Sequence, residues 1–218
     1  MNKVLSVWKP TNISSFDVIR KIKSYNKSLK IGHCGTLDPF AEGVLIICIG
    51  SFTKKVDYYM SQSKRYLASI VLKEETDTLD LTGRVIKSSS RLKNIKRTDI
   101  ETIIQTFIGI TPQIPPYFSA KKINNIKMYE FARNDIFIRA KPSLVNISSI
   151  EIIQFHDKGL TLDIKCSKGT YIRSLARDIA YKLNTFGHLN SLARTSIGDF
   201  NEKNSIKFKD LEKCMFMN

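Results

Sequence analysis

No apolar run in this chain is long enough to cross a bilayer: the longest, Val44 to Ile49, stops far short of the roughly 20 residues a spanning helix needs. Paired cysteines are missing too. Cys34, Cys48, Cys166 and Cys214 are scattered without a Cys-x-x-Cys pair, so they are expected as free thiols in a reducing compartment. The three histidines, His33, His156 and His188, share no metal-ligand spacing with each other or with those cysteines, and a metal-free protein follows. The segment Met1 to Pro10 has neither the apolar stretch nor the small-residue cleavage site of a secretory signal, which points to the cytoplasm. There is no internal repeat and no low-complexity tract. Acidic residues are scarce: 20 Asp and Glu face 35 Lys and Arg, for a formal charge of +15. Such a surplus draws polyanions, which favours nucleic acid as a class of partner.

What is present reads as mixed α and β. Ser14 with Asp17 resembles a capping box, and Phe16, Ile19 and Ile22 recur at helical spacing, so an amphipathic helix is expected to about Tyr25. Gly32 to Gly43 breaks it as a loop. The run Val44 to Ile49 reads as a buried strand, and Arg65 to Lys73 as a strand with Tyr66, Ala68, Ile70 and Leu72 inward. Thr98 and Glu101 predict a second capping box, ahead of a stripe of Ile100, Ile103, Ile104 and Phe107. Arg84 to Arg97 holds six basic residues and no acidic one, and reads as a solvated connector. Leu160 to Cys166 alternates as a strand. Thr170 to Leu183 is the cleanest helix, with Ile172, Leu175, Ala176, Ile179, Ala180 and Leu183 as its stripe, Arg173 and Arg177 off it, and Gly187 as a stop. Strands and helices are interspersed without βαβ alternation, so the fold class is α+β, a mixed sheet flanked by helices. No strong domain boundary is visible, and a basic segment of about 112–141 is expected as an excursion from a single 1–218 domain.

The chemistry concentrates in Gly32-His33-Cys34-Gly35-Thr36-Leu37-Asp38-Pro39-Phe40-Ala41-Glu42-Gly43. Taken alone, an Asp before Pro is a turn former; here glycines on both sides permit close backbone approach to a ligand. The loop resembles the Gly-His-x-Gly-Thr-Leu-Asp-Pro motif of the TruB family of tRNA pseudouridine synthases. Further motifs stand in the family's order. Lys9-Pro10 with Ser14-Ser15 looks like its amino-terminal element, and Lys64-Arg65-Tyr66, then Thr76-Asp77-Thr78 with Asp80 and Gly83, like its second block. Gln113-Ile114-Pro115 through Ser119-Ala120 to Tyr129-Glu130-Phe131-Ala132-Arg133 is similar to its RNA-gripping insertion. Cys166 through Arg173 resembles the late cleft motif, and Gly187-His188 through Leu192 and Arg194 the last.

The resemblance implies a largely antiparallel mixed sheet and conversion of uridine to pseudouridine in the T loop of tRNA, conventionally position 55, with no cofactor. It casts Asp38 as nucleophile, with Arg173 as its ionic partner. Tyr66, Tyr171 and Leu192 would line the uridine pocket, and His33 would hold the target nucleotide out of its stack. From spacing alone Tyr66 is a core aromatic, Leu192 a core residue, Arg173 a solvent-facing helix arginine and His33 a loop histidine without a role. The implied partner is the T arm and elbow of tRNA, bound by a monomer, with no membrane and no metal. Two departures stand out: Ala193 occupies a position where the family has arginine, and Asn12 one where it has glycine. Many family members continue into a small carboxy-terminal RNA-binding domain, and the chain is expected to be the catalytic core without it. The competing readings are a non-catalytic tRNA-binding or refolding protein, and a pseudouridine synthase acting on another RNA.

Overall fold

The computed structural model describes residues 2–89, 95–156 and 158–216, which form two compact units, 1–66 with 192–218 and 67–191. Both boundaries fall inside strands, Lys64–Leu72 and Gly187–Ile197, rather than at a linker, so composition leaves no mark of them.

The first unit is built on Glu42–Ile49. This strand pairs antiparallel with Lys3–Lys9 and with Ile31–His33, and parallel with the end of Gly187–Ile197 at Ala193 and Arg194. Lys3–Lys9 adds Ile206–Lys207 in parallel, which makes the sheet mixed. Val44 to Ile49 is fully buried because its two faces feed different clusters. Leu45, Ile47 and Ile49 pack with Leu5, Val7 and the helix Ser15–Tyr25; Val44, Ile46 and Cys48 pack with Cys34, Ile197 and the Trp8 and Phe52 rings. A period of two with apolar residues on both faces is the signature of a covered strand, and each such Ile or Leu contributes roughly 1.5–3 kcal/mol.

The expected capping box of that helix is present: the Asp17 amide donates to Ser14 Oγ (3.1 Å), and the Ser14 amide donates to Asp17 Oδ2 (2.7 Å). Its buried face is Val18, Ile19 and Ile22, however. Phe16 is 58% exposed, with the Arg20 guanidinium over its ring, because it lies about 200° around the helix from Val18.

In the second unit Ser143–His156 pairs antiparallel with both Gly109–Gln113 and Gly159–Cys166, and the last of these neighbours the Lys64–Leu72 strand. The alternation expected there is seen, with Ala68, Ile70 and Leu72 facing inward on one strand and Leu160, Leu162, Ile164 and Cys166 on the other. Gly159 passes so close to the Ile70 carbonyl that any Cβ would collide with it.

Three local expectations change. The helix Arg97–Gln105 starts one residue before Thr98, and Asp99, not Glu101, closes its cap by accepting from the Lys96 amide (2.9 Å); Glu101 pairs with Arg97 instead. The helix Ile172–Lys182 ends through Asn184 in the left-handed region (φ 55°), while Gly187 opens the next strand. Of the basic run, Val85–Ser88 is a strand against Glu74–Thr76, and residues 90–94 lie outside those described. The segment 112–141 carries a small hairpin, Lys122–Ile123 with Ile126–Lys127, turned by Asn124 and Asn125 at positive φ, and then the helix Met128–Ala132. Among the described residues no helix is long and apolar enough to cross a membrane.

Candidate active site

In the first unit the chain leaves the strand Ile31–His33 and runs past Asp38 to re-enter the sheet at Glu42, so that Gly32, His33, Glu42 and Gly43, expected in the loop, belong to strands. Its backbone is held from three directions while the Asp38 side chain stays half-exposed. The fully buried Arg194 guanidinium, 2% exposed, donates to the carbonyls of Val44 (2.8 Å), Gly35 (3.1 Å) and Thr36 (3.3 Å). Ser15 Oγ accepts from the Leu37 amide (2.8 Å). Beyond Asp38, the Asn12 amide donates to the Pro39 carbonyl (2.7 Å), and the Lys9 ammonium spans the carbonyls of Pro10 and Ile13 (2.8 Å each) and reaches Pro39 at 3.5 Å. Asn12 takes the left-handed conformation, φ 65°, which asparagine adopts more readily than most residues. Gly43 closes the loop at φ 119°, where a Cβ would collide with the backbone of Arg194.

Two buried cations therefore grip the shoulders of one carboxylate-bearing turn. Burial, with the Arg194 charge second, pushes the Lys9 ammonium down to about 8, against the pull of Asp38, Asp17 and Glu42. His33 is lowered below the usual imidazole range by burial and then by Arg194, and its buried Nδ1 has no hydrogen-bond partner among the described residues. The ring is neutral at pH 7. Tyr66 and Leu192, in the same unit, are buried on their strands.

Tyr171 and Arg173 belong to the second unit, so the Asp38–Arg173 pairing expected from sequence links residues of different units. Arg173 is not the solvent-facing arginine its place off the apolar stripe predicts. It is 5% exposed and donates to the carbonyls of Thr78 and Phe118 (2.8 Å each), with Asp80 Oδ2 at 3.6 Å from Nη1. Asp80 is itself ordered by the hydroxyls of Thr78 and Thr82. Tyr171 is clamped by Gln113: Oε1 accepts from the Tyr171 amide (2.8 Å) and Nε2 donates to its carbonyl (3.1 Å). His188 is buried with Nδ1 at 2.9 Å from the Glu74 carbonyl, a structural contact.

Sequence reasoning missed the supporting roles of Lys9, Arg194, Asp80 and Gln113. Nothing in the mixed polar and apolar sequence of the Gly187–Ile197 strand singled out Arg194.

A family model described as TruB family pseudouridylate synthase (N terminal domain) matches residues 20–172, and one described as tRNA pseudouridylate synthase B C-terminal domain matches residues 173–218. The chain belongs to the TruB family. It is 42% identical over 213 residues to the tRNA pseudouridine synthase B of Clostridium tetani, covering 98% of this chain and 73% of that one. It is also 39% identical to that of Oceanobacillus iheyensis over 99% of this chain and 72% of the relative. Among solved structures, a Cbf5-Nop10-Gar1 complex contains a chain that superposes with TM-score 0.74 at 26% identity over 96% of this chain. An H/ACA RNP bound to a substrate RNA containing 2'-deoxyuridine gives 0.71 at 23%, a likeness of fold. The chain spans about half of each of those two, 53% and 52%. As a TruB family member it is a pseudouridine synthase, an isomerase built on a mixed sheet flanked by helices. Ala193 sits in parallel register with Glu42, and its neighbour Arg194 makes the guanidinium contacts to the loop carbonyls.

Proposed function

We propose that this pseudouridine synthase acts on the T-loop uridine of tRNA, with Asp38 as nucleophile. The observation that carries the assignment is the turn itself: the carbonyls of Gly35, Thr36 and Pro39 and the amide of Leu37 are all fixed, and Asp38 between them is only half-buried. A reacting group held by its own backbone loses little freedom on reaching the transition state, which is where orientation lowers a barrier.

The reaction breaks N1–C1′, turns the uracil and joins C5 to C1′, then removes the C5 proton; no electrons are gained or lost, and no cofactor is needed. Whether the carboxylate attacks C1′, attacks C6 or assists departure of the base, it acts in its ionised form. Tyr171, Leu192 and the Tyr66 ring are assigned to the extruded uracil, with the Tyr66 hydroxyl as acceptor of the C5 proton, and Arg173 to support of the carboxylate. His33, neutral and half-buried, is assigned to keeping the nucleotide out of its stack. The net charge of +15 and the basic insertion hairpin suit phosphates of the T arm and elbow. Relatives named tRNA pseudouridine synthase B at 39–42% identity favour tRNA over another RNA. Cytoplasmic action as a monomer, without metal, completes the reading.

Incubation with an unmodified tRNA transcript, followed by carbodiimide-dependent reverse-transcription stops, tests it. A stop at the T-loop uridine is expected with wild type and none with Asp38→Ala, which should still bind the transcript. Equal stops from both proteins would remove Asp38 from the mechanism.

A further inference from the structure

The basic insertion leaves the sheet of the second unit and returns to it at one rung of a ladder. Gln113, the last residue of Gly109–Gln113, stands opposite Ser143, the first of Ser143–His156. Gln113 is 4% exposed, and both ends of its amide are spent on one residue 58 positions later. Its Oε1 accepts from the Tyr171 amide (2.8 Å), and its Nε2 donates to the Tyr171 carbonyl (3.1 Å). The residues that follow Gln113 bind the same stretch of chain. The Ile114 carbonyl accepts from Ser174 Oγ (2.8 Å) and from Arg177 Nη2 (3.4 Å), and the Phe118 carbonyl from Arg173 Nη2 (2.8 Å). The rest of the insertion is fastened to this root: the Met128 amide donates to the Lys121 carbonyl (2.8 Å), and the Tyr129 amide to the Ser119 carbonyl (3.1 Å).

Tyr171 stands where secondary structure constrains the backbone least. Ahead of it the chain turns through Lys168 and Gly169, the latter at φ 82°, and Tyr171 itself is the N-cap of the helix Ile172–Lys182, with no capping hydrogen bond from its side chain. An N-cap residue is only half within its helix, so the helical ladder does not set its φ and ψ. The Tyr171 carbonyl accepts the first helical bond, from the Leu175 amide (3.1 Å). Gln113 takes the second lone pair of that oxygen, together with the amide on the other side of the same Cα. Holding the groups on both sides of one Cα fixes the direction in which its side chain leaves the backbone. A primary amide suits this task because one flat group both accepts and donates.

We propose that Gln113 is a positioning residue for the reaction: it ties the root of the insertion to Tyr171, so that the insertion and the ring assigned to the uracil are placed together. The Phe118 carbonyl does the same for Arg173. RNA held by the hairpin of Lys122–Ile123 and Ile126–Lys127 then meets reacting groups whose placement is already set by the element that holds it. Gln113 acts through Tyr171 and not on the base. This role rests on the assignment of Tyr171 to the reacting nucleotide, and adds that a fault at Gln113 slows the reaction without loosening the RNA.

Pseudouridine formation on an unmodified tRNA transcript, followed as kcat and KM below each variant's melting temperature, tests the proposal. Gln113→Met loses both bonds and should lower kcat about 10- to 100-fold, the scale on which a misplacement of about 1 Å slows a reaction, with KM within about twofold of wild type. Gln113→Asn keeps the amide but falls one carbon short of spanning both groups, and should show a smaller loss of the same kind. In a Tyr171→Ala background, Gln113→Met should cost less than about twofold in kcat, because a residue that acts through Tyr171 then has nothing left to place. Equal costs in the two backgrounds would assign Gln113 to the stability of the unit and overturn the proposal. So would an unchanged kcat, or a loss confined to KM, in folded Gln113→Met. If Gln113→Met does not fold, Gln113→Asn and its cycle with Tyr171→Ala decide in the same way. Wild-type activity on another RNA and none at the T loop would end the T-loop reading alone, and the same cycle on that RNA would still judge Gln113.

Discussion

Replacing Arg194 by Met removes the donor that three carbonyls around the Asp38 turn share. The bond to Val44 is short, at 2.8 Å, and that residue is fully buried, so its loss costs about 1.5–3 kcal/mol for a charge-assisted bond without water to replace it. The bonds to Gly35 and Thr36 are longer, 3.1 and 3.3 Å, and end on partly exposed residues, which water rescues for about 0.5 kcal/mol each. Relief of the buried guanidinium offsets part of this, leaving a net loss of about 2–4 kcal/mol. In a chain of this length that lowers the melting temperature by roughly 5–15 °C. The catalytic effect should be larger than the stability effect suggests, because Gly35 and Thr36 immediately precede the Leu37–Asp38 step. A displacement of about 1 Å at the nucleophile costs on the order of 100-fold in kcat. Single-turnover pseudouridine formation below the variant's melting temperature, with tRNA affinity measured in parallel, reads both quantities. Arg194→Lys, which retains the charge but not the planar fork, should fall between wild type and Arg194→Met. A folded Arg194→Met variant with kcat within about twofold of wild type would refute the claim that this side chain positions the turn.

Gly43→Ala should lower thermal stability by several degrees, since its φ of 119° strains any L side chain by about 1–3 kcal/mol and the new Cβ meets Arg194 backbone; an unchanged melting curve would contradict that geometry. Lys9 titrates near 8 when folded and at 10.5 when free, so between those values the unfolded chain binds the proton and the folded chain does not. Wild-type stability should accordingly gain on Lys9→Met as pH climbs from about 8 towards 10.5, and a difference independent of pH over that window would count against the buried ammonium. Asp17 is held down to about 2 by its hydrogen bonds to Ser14 and by Arg20, so the cap's contribution is complete above 3.8 and lost as pH falls through about 2. Thermal melts of wild type and Asp17→Asn should converge over that acid range, and parallel curves would deny the carboxylate its role in the cap.

Local elements were legible because their signals are local. The Ser14–Asp17 cap, the covered strand at Val44 to Ile49 and the alternation from Tyr66 to Leu72 each depend on spacing within a few residues, and each stands where spacing predicts it. The misplaced details share a different cause. Phe16 is apolar at helical spacing yet faces solvent, because which side of a helix is covered is decided by what packs on it. Asp99 took the cap expected of Glu101 because the N-cap is Lys96, two residues before Thr98, a shift too small for pattern to resolve.

By itself the sequence determined that this chain is basic, is mixed α and β, and carries the motif that places one aspartate between two glycine-bordered turns in a TruB family member. Only the tertiary structure decided how that aspartate is held. Arg194 lies more than 150 residues beyond the turn whose carbonyls it binds, and Gln113 grips Tyr171 across 58 positions of chain. Buried polar groups must be satisfied by whatever donors folding brings near, and that choice depends on distances in space that no periodicity along the chain encodes.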